Sequence, residues 1–378
     1  MATPVIHLSG TVVVDGETEV CELWSVGGRL TFEKPARAAD RRVDGVVLPG
    51  LVDVHCHIGL GAAGAAPPDV ARAQAIADRD TGVLLVRDAG CPREPYSTRW
   101  LDDAPWAPRV IRCGQHIAIA KRYLRHLPRE IVPDQLPDAV AEEALAGDGW
   151  VKLVGDWIDR ALPEPDLALL WPDDKLTQAI GRAHALGARV TTHVFSAEGA
   201  AQALRCGVDC IEHGAGLDAA MMAQARAKGV RVVPTMIQRE NFAEIAASAA
   251  GRFPRWERHL RRLHERRHEQ AKALHDAGVS LLVGSDESTN IPHGVYCLET
   301  DLMARAGIPA EAIVAAASYD ARRFLGVPGL EEGASADLVV YSTDPREAVA
   351  ALHTPRAVVL RGALVAGALA GTGAWARP

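Results

Sequence analysis

The chain has 378 residues, 48% hydrophobic and 24% charged, with a net charge of −7, enough for a large core in one α/β domain with an appendage, or in two domains. That acidic balance, with a pI near 6.1, argues against a nucleic-acid partner, and no leader-like or bilayer-length apolar run points to export or a membrane. Seven cysteines, an odd number without C-x-x-C spacing, suit a reducing compartment and a cytoplasmic location.

Residues 4–33 carry short β-like runs at 5–8, 11–14 and 23–26, separated by Gly and Asp turn signals. Eight apolar, β-rich runs follow, at 46–57, 82–89, 109–113, 150–154, 189–194, 208–213, 230–236 and 280–286. Helical patterns lie between several of them, at 69–80, 138–146, 174–186, 197–206 and 256–277, and the alanine-rich stretch 243–250 also reads as helix. Residues 336–368 return to the β-like character of the N-terminus. The fold class this predicts is α/β: a (β/α)8 TIM-type barrel with a small β-sandwich domain built from both chain termini. The barrel is expected over 48–331 and the small domain over 1–47 plus 332–378, because neither end could cover its apolar face alone. A doubly wound sheet is the competitor, but no G-x-G-x-x-G turn follows an early strand.

The most informative segment is Val54-His55-Cys56-His57. In an extended strand alternate side chains share a face, so His55 and His57 point together and Cys56 points away, as a packed core thiol. Two imidazoles on one side of a strand end can chelate a divalent cation. Further ligand-type residues stand at other predicted strand ends: Lys152, His193, His213 and Asp286. Barrel strands deliver such residues to a single mouth, so the set is coherent for one or two cations.

These residues sit in a series of longer motifs. They include Val47-Leu48-Pro49-Gly50-Leu51-Val52-Asp53 leading into His55, Val86-Arg87-Asp88-Ala89-Gly90, Val151-Lys152-Leu153 and Thr192-His193-Val194-Phe195-Ser196-Ala197-Glu198-Gly199. Then come Gly207-Val208-Asp209-Cys210-Ile211-Glu212-His213-Gly214, Val233-Pro234-Thr235, Val283-Gly284-Ser285-Asp286 and Glu332-Gly333-Ala334-Ser335-Ala336-Asp337. Across nearly its whole length the chain resembles the amidohydrolase superfamily, and within it the imidazolonepropionase-like, prolidase-like branch. The resemblance implies a metal-dependent hydrolase that cleaves a C–N amide bond of a dipeptide, an N-acyl amino acid or a cyclic amide. It implies two divalent cations, usually Zn2+, one held by His55, His57 and Asp286 and the other by His193 and His213. Lys152 would bridge both as a carbamate, whose negative charge offsets part of theirs. A metal-bridging hydroxide would attack, with Asp286 as general base and then general acid.

Around that set, His116 falls where the branch often has a histidine that polarises the scissile carbonyl. Arg239 is a candidate for a substrate carboxylate, and His293 a candidate pocket residue. The tyrosine that often follows Pro-Thr in the family is missing from Pro234-Thr235-Met236-Ile237-Gln238-Arg239. The segment 115–150, with Lys121, Arg122, Arg125, His126 and Arg129, reads either as a lid with a basic inner face or as a solvated loop with a helix. His264 and His268 lie one helical turn apart on what reads as an exposed helix. A mononuclear deaminase of the same fold is the alternative function, though such relatives usually lack the Lys152 equivalent and many carry Glu where Ser196 stands. A non-catalytic binding protein on the same barrel is the alternative of a different class. The expected partner is a small-molecule amide, with a homodimer suggested by analogy.

Overall fold

The computed structural model describes residues 4–92 and 95–369, so the ends of the expected small domain, 1–3 and 370–378, lie outside the described residues. Both termini build one hydrogen-bonded sheet of seven strands. Its order is Ala363–Ala366, Ala357–Leu360, Leu338–Tyr341, Arg41–Pro49, Ile6–Val13, Glu19–Val26 and Arg29–Thr31. The last strand in that order also reaches the segment before Leu338, with Arg29 bridged to Ser335 and Leu30 N–H donating to Ala334 O at 2.9 Å, so both termini enclose one apolar cluster. Leu338 and Val340 pack with Leu8, Val47 and Val359, whereas Val339 and Tyr341 face the main core of the molecule.

The predicted strand 46–57 is two strands. Leu48 and Pro49 still pair with Val339 and Leu338 in the terminal sheet, and Leu51–Cys56 pairs in parallel with Val83–Asp88. The break falls at Gly50, where a Cβ would stand 2.7 Å from Leu84 Cδ1 and 2.9 Å from Arg322 Nη2. Only a glycine lets the chain change sheets in so little space.

The central strands are parallel, and Leu51–Cys56, Val83–Asp88, Trp150–Val154 and Cys210–His213 are buried along their whole length, as strands covered on both faces are. One sheet runs Leu51–Cys56, Val83–Asp88, Arg109–Arg112. A second contains Ile117–Ile119, Trp150–Val154, Arg189–Val194, Cys210–His213 and Arg231–Val233 in that order, with Arg129–Ile131 at its edge. Residues 280–286 form no ladder but touch both flanks. Leu282 N–H donates to Val232 O at 3.0 Å, Val54 N–H to Val283 O at 3.0 Å, and Asp286 N–H to His55 O at 2.7 Å.

Helices Pro68–Asp80, Leu136–Ala146, Asp173–Ala185 and Ala197–Cys206 follow their strands. The last is capped by Ser196, whose hydroxyl accepts from Gly199 N–H at 2.9 Å. The predicted helix 256–277 is instead Pro254–Glu265 and Arg267–Asp276, so His264 and His268 lie on different helices. Among the described residues no helix is long and apolar enough to cross a membrane.

Candidate metal centre

The strand ends converge. His55 Nε2 lies 3.1 Å and His57 Nε2 3.4 Å from Asp286 Oδ1, and His213 Nε2 lies 2.9 Å from His193 Nδ1. One nitrogen each from His55 and His213 and an oxygen of Asp286 lie within 4.8 Å of one another. Lys152 Nζ reaches the same floor, in contact with Glu212 Oε2, which is 3.7 Å from His55 Nδ1. All six sequence-predicted ligands therefore come together, on five chain segments.

Strand alternation alone does not place them. His213 and Asp286 adopt left-handed backbone, φ 66° and 59°, as does Thr235 at 44°. Non-glycine residues in that region carry strain of about 1–3 kcal/mol each. At His213 the twist has a visible consequence: Glu212 and His213, consecutive residues that should face opposite ways, both enter the site.

Backbone and hydroxyl partners orient the rings. The Nδ1–H groups of His57 and His116 donate to the same carbonyl, Gly90 O, at 3.0 and 3.2 Å. Their Nε2 atoms are thereby left as acceptors. Thr235 Oγ1 donates to Pro234 O at 2.9 Å and so accepts from His213 Nδ1–H at 2.6 Å, leaving the His213 Nε2 lone pair toward the site.

Electrostatics keep the donors ready. Burial lowers the His55 and His116 imidazoles to about 3, and His193 and His213 well below their ordinary range. Burial, aided by Arg87, brings the Lys152 amine down to about 8 against the pull of Asp286. Burial pushes the Asp286 carboxyl up, but His55 and His57 more than offset it and hold it well below the usual range. Beneath the floor, Arg87 stacks on Trp150 at 4.5 Å and donates to Val54 O at 2.7 Å and Glu212 Oε1 at 3.1 Å. Thr191 Oγ1 also donates to Glu212 Oε1, at 2.8 Å.

The donor chemistry fits divalent cations. His193 Nε2 and His55 Nδ1 are buried without hydrogen-bond partners, a costly state for polar atoms unless an ion or a water uses them. Four imidazoles with one carboxylate make a zinc-type set.

The site opens into a cavity of about 300 Å³ walled by Tyr123, Trp157, Phe195 and Trp256, with Arg160, Gln238 and the residues Ser288, Thr289 and Asn290 on its lining. His57, His116, His193 and Asp286 also line it. Arg239 and His293, expected in the pocket, do not. Arg239 is fully buried and donates to Gln270 Oε1 at 2.7 Å; on the short helix Met236–Glu240 a step of one residue turns about 100°, so Gln238 faces the cavity instead. His293 turns to Asp78, 2.9 Å from Oδ2. Cys56, expected as a packed thiol, joins that polar group, 3.6 Å from the same oxygen.

The segment 115–150 carries no basic inner face. Arg122 pairs with Asp159 at 2.8 Å and Arg129 with Glu142 at 2.6 Å. It brings Tyr123 to the site instead, its ring 5.5 Å from both His116 and His193. Tyr123 and Glu212 are the site residues that sequence reasoning passed over. For Glu212 a signal existed, a carboxylate inside an otherwise apolar strand; for Tyr123, within a loop, there was none.

A model of the Amidohydrolase family matches residues 46–365. An uncharacterized protein of Mycobacterium tuberculosis (strain ATCC 25618 / H37Rv) is 48% identical over 359 residues, 94% of this chain and 95% of that protein. Two solved structures share the fold: a Xaa-Pro dipeptidase with bound methionine in its active site (TM-score 0.78, 22% identity, 96% of this chain and 100% of that one) and A. niger ochratoxinase (TM-score 0.78, 19% identity, 97% of each). With the family match over most of its length, and a mixed α/β architecture of the TIM-barrel type, this chain belongs to the amidohydrolase family and is an enzyme acting on carbon–nitrogen bonds.

Proposed function

We propose that the protein is a prolidase-like, metal-dependent amide hydrolase whose substrate joins a large apolar or aromatic group to a carboxylate-bearing part, as in an N-acyl amino acid or a dipeptide. The observation that carries this reading is the meeting of His55, His57, His193, His213, Lys152 and Asp286 at the floor of an aromatic-walled cavity. A volume near 300 Å³ suits a small ligand. Aromatic walls favour an apolar group, and Arg160 on the lining offers a guanidinium to a carboxylate. The central strands are read as a barrel in which 280–286 takes the eighth place, supported by its hydrogen bonds to both flanks.

His55, His57 and Asp286 would hold one cation and His193 and His213 a second, with Lys152 between them as a carbamate. Such ions supply Lewis acidity toward the scissile carbonyl and acidify the attacking water. Lys152 suits the modification because its amine is lowered to about 8: the neutral nitrogen adds carbon dioxide, forms an N–C bond and releases one proton. Asp286, held ionised, accepts the proton of the attacking water and returns it to the leaving nitrogen. The Tyr123 hydroxyl would donate to the carbonyl oxygen; His116 Nε2, buried, unpartnered and left an acceptor by the bond of Nδ1–H to Gly90 O, would instead accept from a substrate N–H or from water.

The test is to assay zinc-loaded protein, with metal content measured, against N-acyl amino acids and dipeptides with aromatic and small side chains, cyclic amides, and amino-heterocycles. Turnover of aromatic N-acyl or dipeptide substrates with two ions per chain supports the reading. Ammonia release from a heterocycle with one ion and an unmodified Lys152 would replace it with a deaminase.

A further inference from the structure

Behind the strand that carries His55 and His57 lies a second group of ligand-type side chains. Cys56 and Glu287 are paired across a parallel bridge and share the outer face of their segments. Asp78 comes from the helix Pro68–Asp80 and His293 from the loop after Glu287. One donor atom from each of the four lies within 4.8 Å of the others. Asp78 is 1% exposed and Glu287 0%. Among the described residues no Lys or Arg pairs with either carboxylate, so two buried acids face each other without a compensating side-chain cation. Glu287 Oε1 accepts from Val295 N–H at 2.7 Å and the Gly294 N–H lies against both carboxylates, while Glu287 Oε2 is buried without a well-formed hydrogen bond and faces Asp78 and His293.

We propose that Cys56, Asp78, Glu287 and His293 form a separate structural site for one zinc-type divalent cation, distinct from the metal centre at the cavity floor. The donor set is a thiolate, an imidazole and two carboxylates, a combination zinc accepts. The spacing agrees as well. Zinc bonds of about 2.0–2.3 Å imply tetrahedral edges of about 3.3–3.8 Å. Cys56 Sγ lies 3.6 Å from Asp78 Oδ2 and 3.9 Å from His293 Nδ1, and His293 Nδ1 lies 3.7 Å from Glu287 Oε2. The edge from His293 Nδ1 to Asp78 Oδ2 is shorter, 2.9 Å, a hydrogen bond that an ion would open slightly. The cation joins the first helix to the segment after Asp286. That segment carries Ser288, Thr289 and Asn290 to the cavity wall, so the site fixes part of the substrate surface without touching substrate.

Cobalt distinguishes the two sites, because only this one contains sulfur. Protein loaded with excess Co2+ should show a thiolate-to-cobalt charge-transfer band in the near ultraviolet, with an intensity for one thiolate per chain. Cys56→Ser, which keeps the exposed Cys21, should lose the band, and His293→Asn should bind one cobalt fewer per chain by elemental analysis. Native protein that binds cobalt with visible ligand-field bands but no charge-transfer band overturns the proposal and leaves Asp78 and Glu287 sharing a proton. A band that survives Cys56→Ser overturns it too. A band at one ion per chain, with no metal bound by the imidazole set, would keep this site and sink the catalytic reading; no cobalt bound anywhere would sink both.

Discussion

At the scale of single residues, Asp286 and Tyr123 make opposite demands on pH. Asp286 must be ionised to take a proton, and its contacts with His55 and His57 keep it so. Asp286→Asn keeps the shape and removes the base, so kcat should fall by about 10³-fold while the circular dichroism spectrum stays that of the native protein. Tyr123 must keep its proton to donate, and burial together with the Asp286 charge pushes its phenol upward. Tyr123→Phe should therefore cost about 10²-fold in kcat/KM, and the ratio to native should stay flat from about pH 6 to about pH 9; a ratio that varies across that range would mean the phenol titrates and is no simple donor. The ligands were legible in the sequence because a strand's two-residue period puts His55 and His57 on one face whatever the rest of the chain does. Glu212 was legible only as a carboxylate out of place in an apolar strand; that it enters the site together with His213 depends on the left-handed backbone at His213. Arg239 misled for a related reason: a charge near a strand end reads as a ligand for substrate, and only packing shows it buried against Gln270.

At the scale of elements, glycines decide what the strands can present. Gly90 ends Val83–Asp88 two residues on, at φ 104°, and its carbonyl holds both His57 and His116. A Cβ there would stand 2.8 Å from His116 Cβ and from its backbone nitrogen. Gly90→Ala should shift that shared acceptor and weaken zinc binding about 10- to 100-fold, the usual cost of a lost second partner to a ligating histidine. Competition with a chromophoric chelator measures it, and unchanged affinity would mean that Gly90 serves the turn alone. Most central elements could be read from apolar runs and capping signals; Ala197–Cys206, with Ser196 before it, was legible to the residue. The run 46–57 is cut at Gly50, where the Pro49-Gly50 pair was a break signal inside an apolar run, and 256–277, whose helical pattern carries no such signal, is cut at Arg266. Residues 280–286 look like a strand but pair too sparsely to form a ladder, and Gly284 lies so near the first strand that a Cβ there would stand 2.7 Å from His55 Cβ.

At the scale of the whole molecule, the apolar core and the polar centre respond differently to loss of metal. The core packs Val, Ile and Leu from strands and helices throughout the chain, and none of that burial needs an ion. Chelation should leave a folded protein, less stable by the binding free energy, about 4 kcal/mol when free zinc stands at 1,000 times its dissociation constant. The apo form should also become acid-sensitive. His55 and His116 have imidazoles lowered from 6.5 to about 3 in the folded state, so between those values the unfolded chain binds protons that the folded chain refuses. Stability then rises with pH across that window and is lost as pH falls from about 6.5 toward about 3. Buried acids such as Asp78 and Glu287, raised to about 7 and about 9, act in the opposite sense over part of that range, so the histidine share is read by difference. The fall in Tm of apo-protein below about pH 6.5 should be smaller in His116→Asn than in native protein, and added zinc should raise Tm most near neutrality, where protons compete least for the imidazoles. An equal fall in the two proteins would mean that His116 does not stay buried and neutral beside the other donors without metal. The buried cluster at the cavity floor would then be assembled by the ion, and not by the strands that carry it.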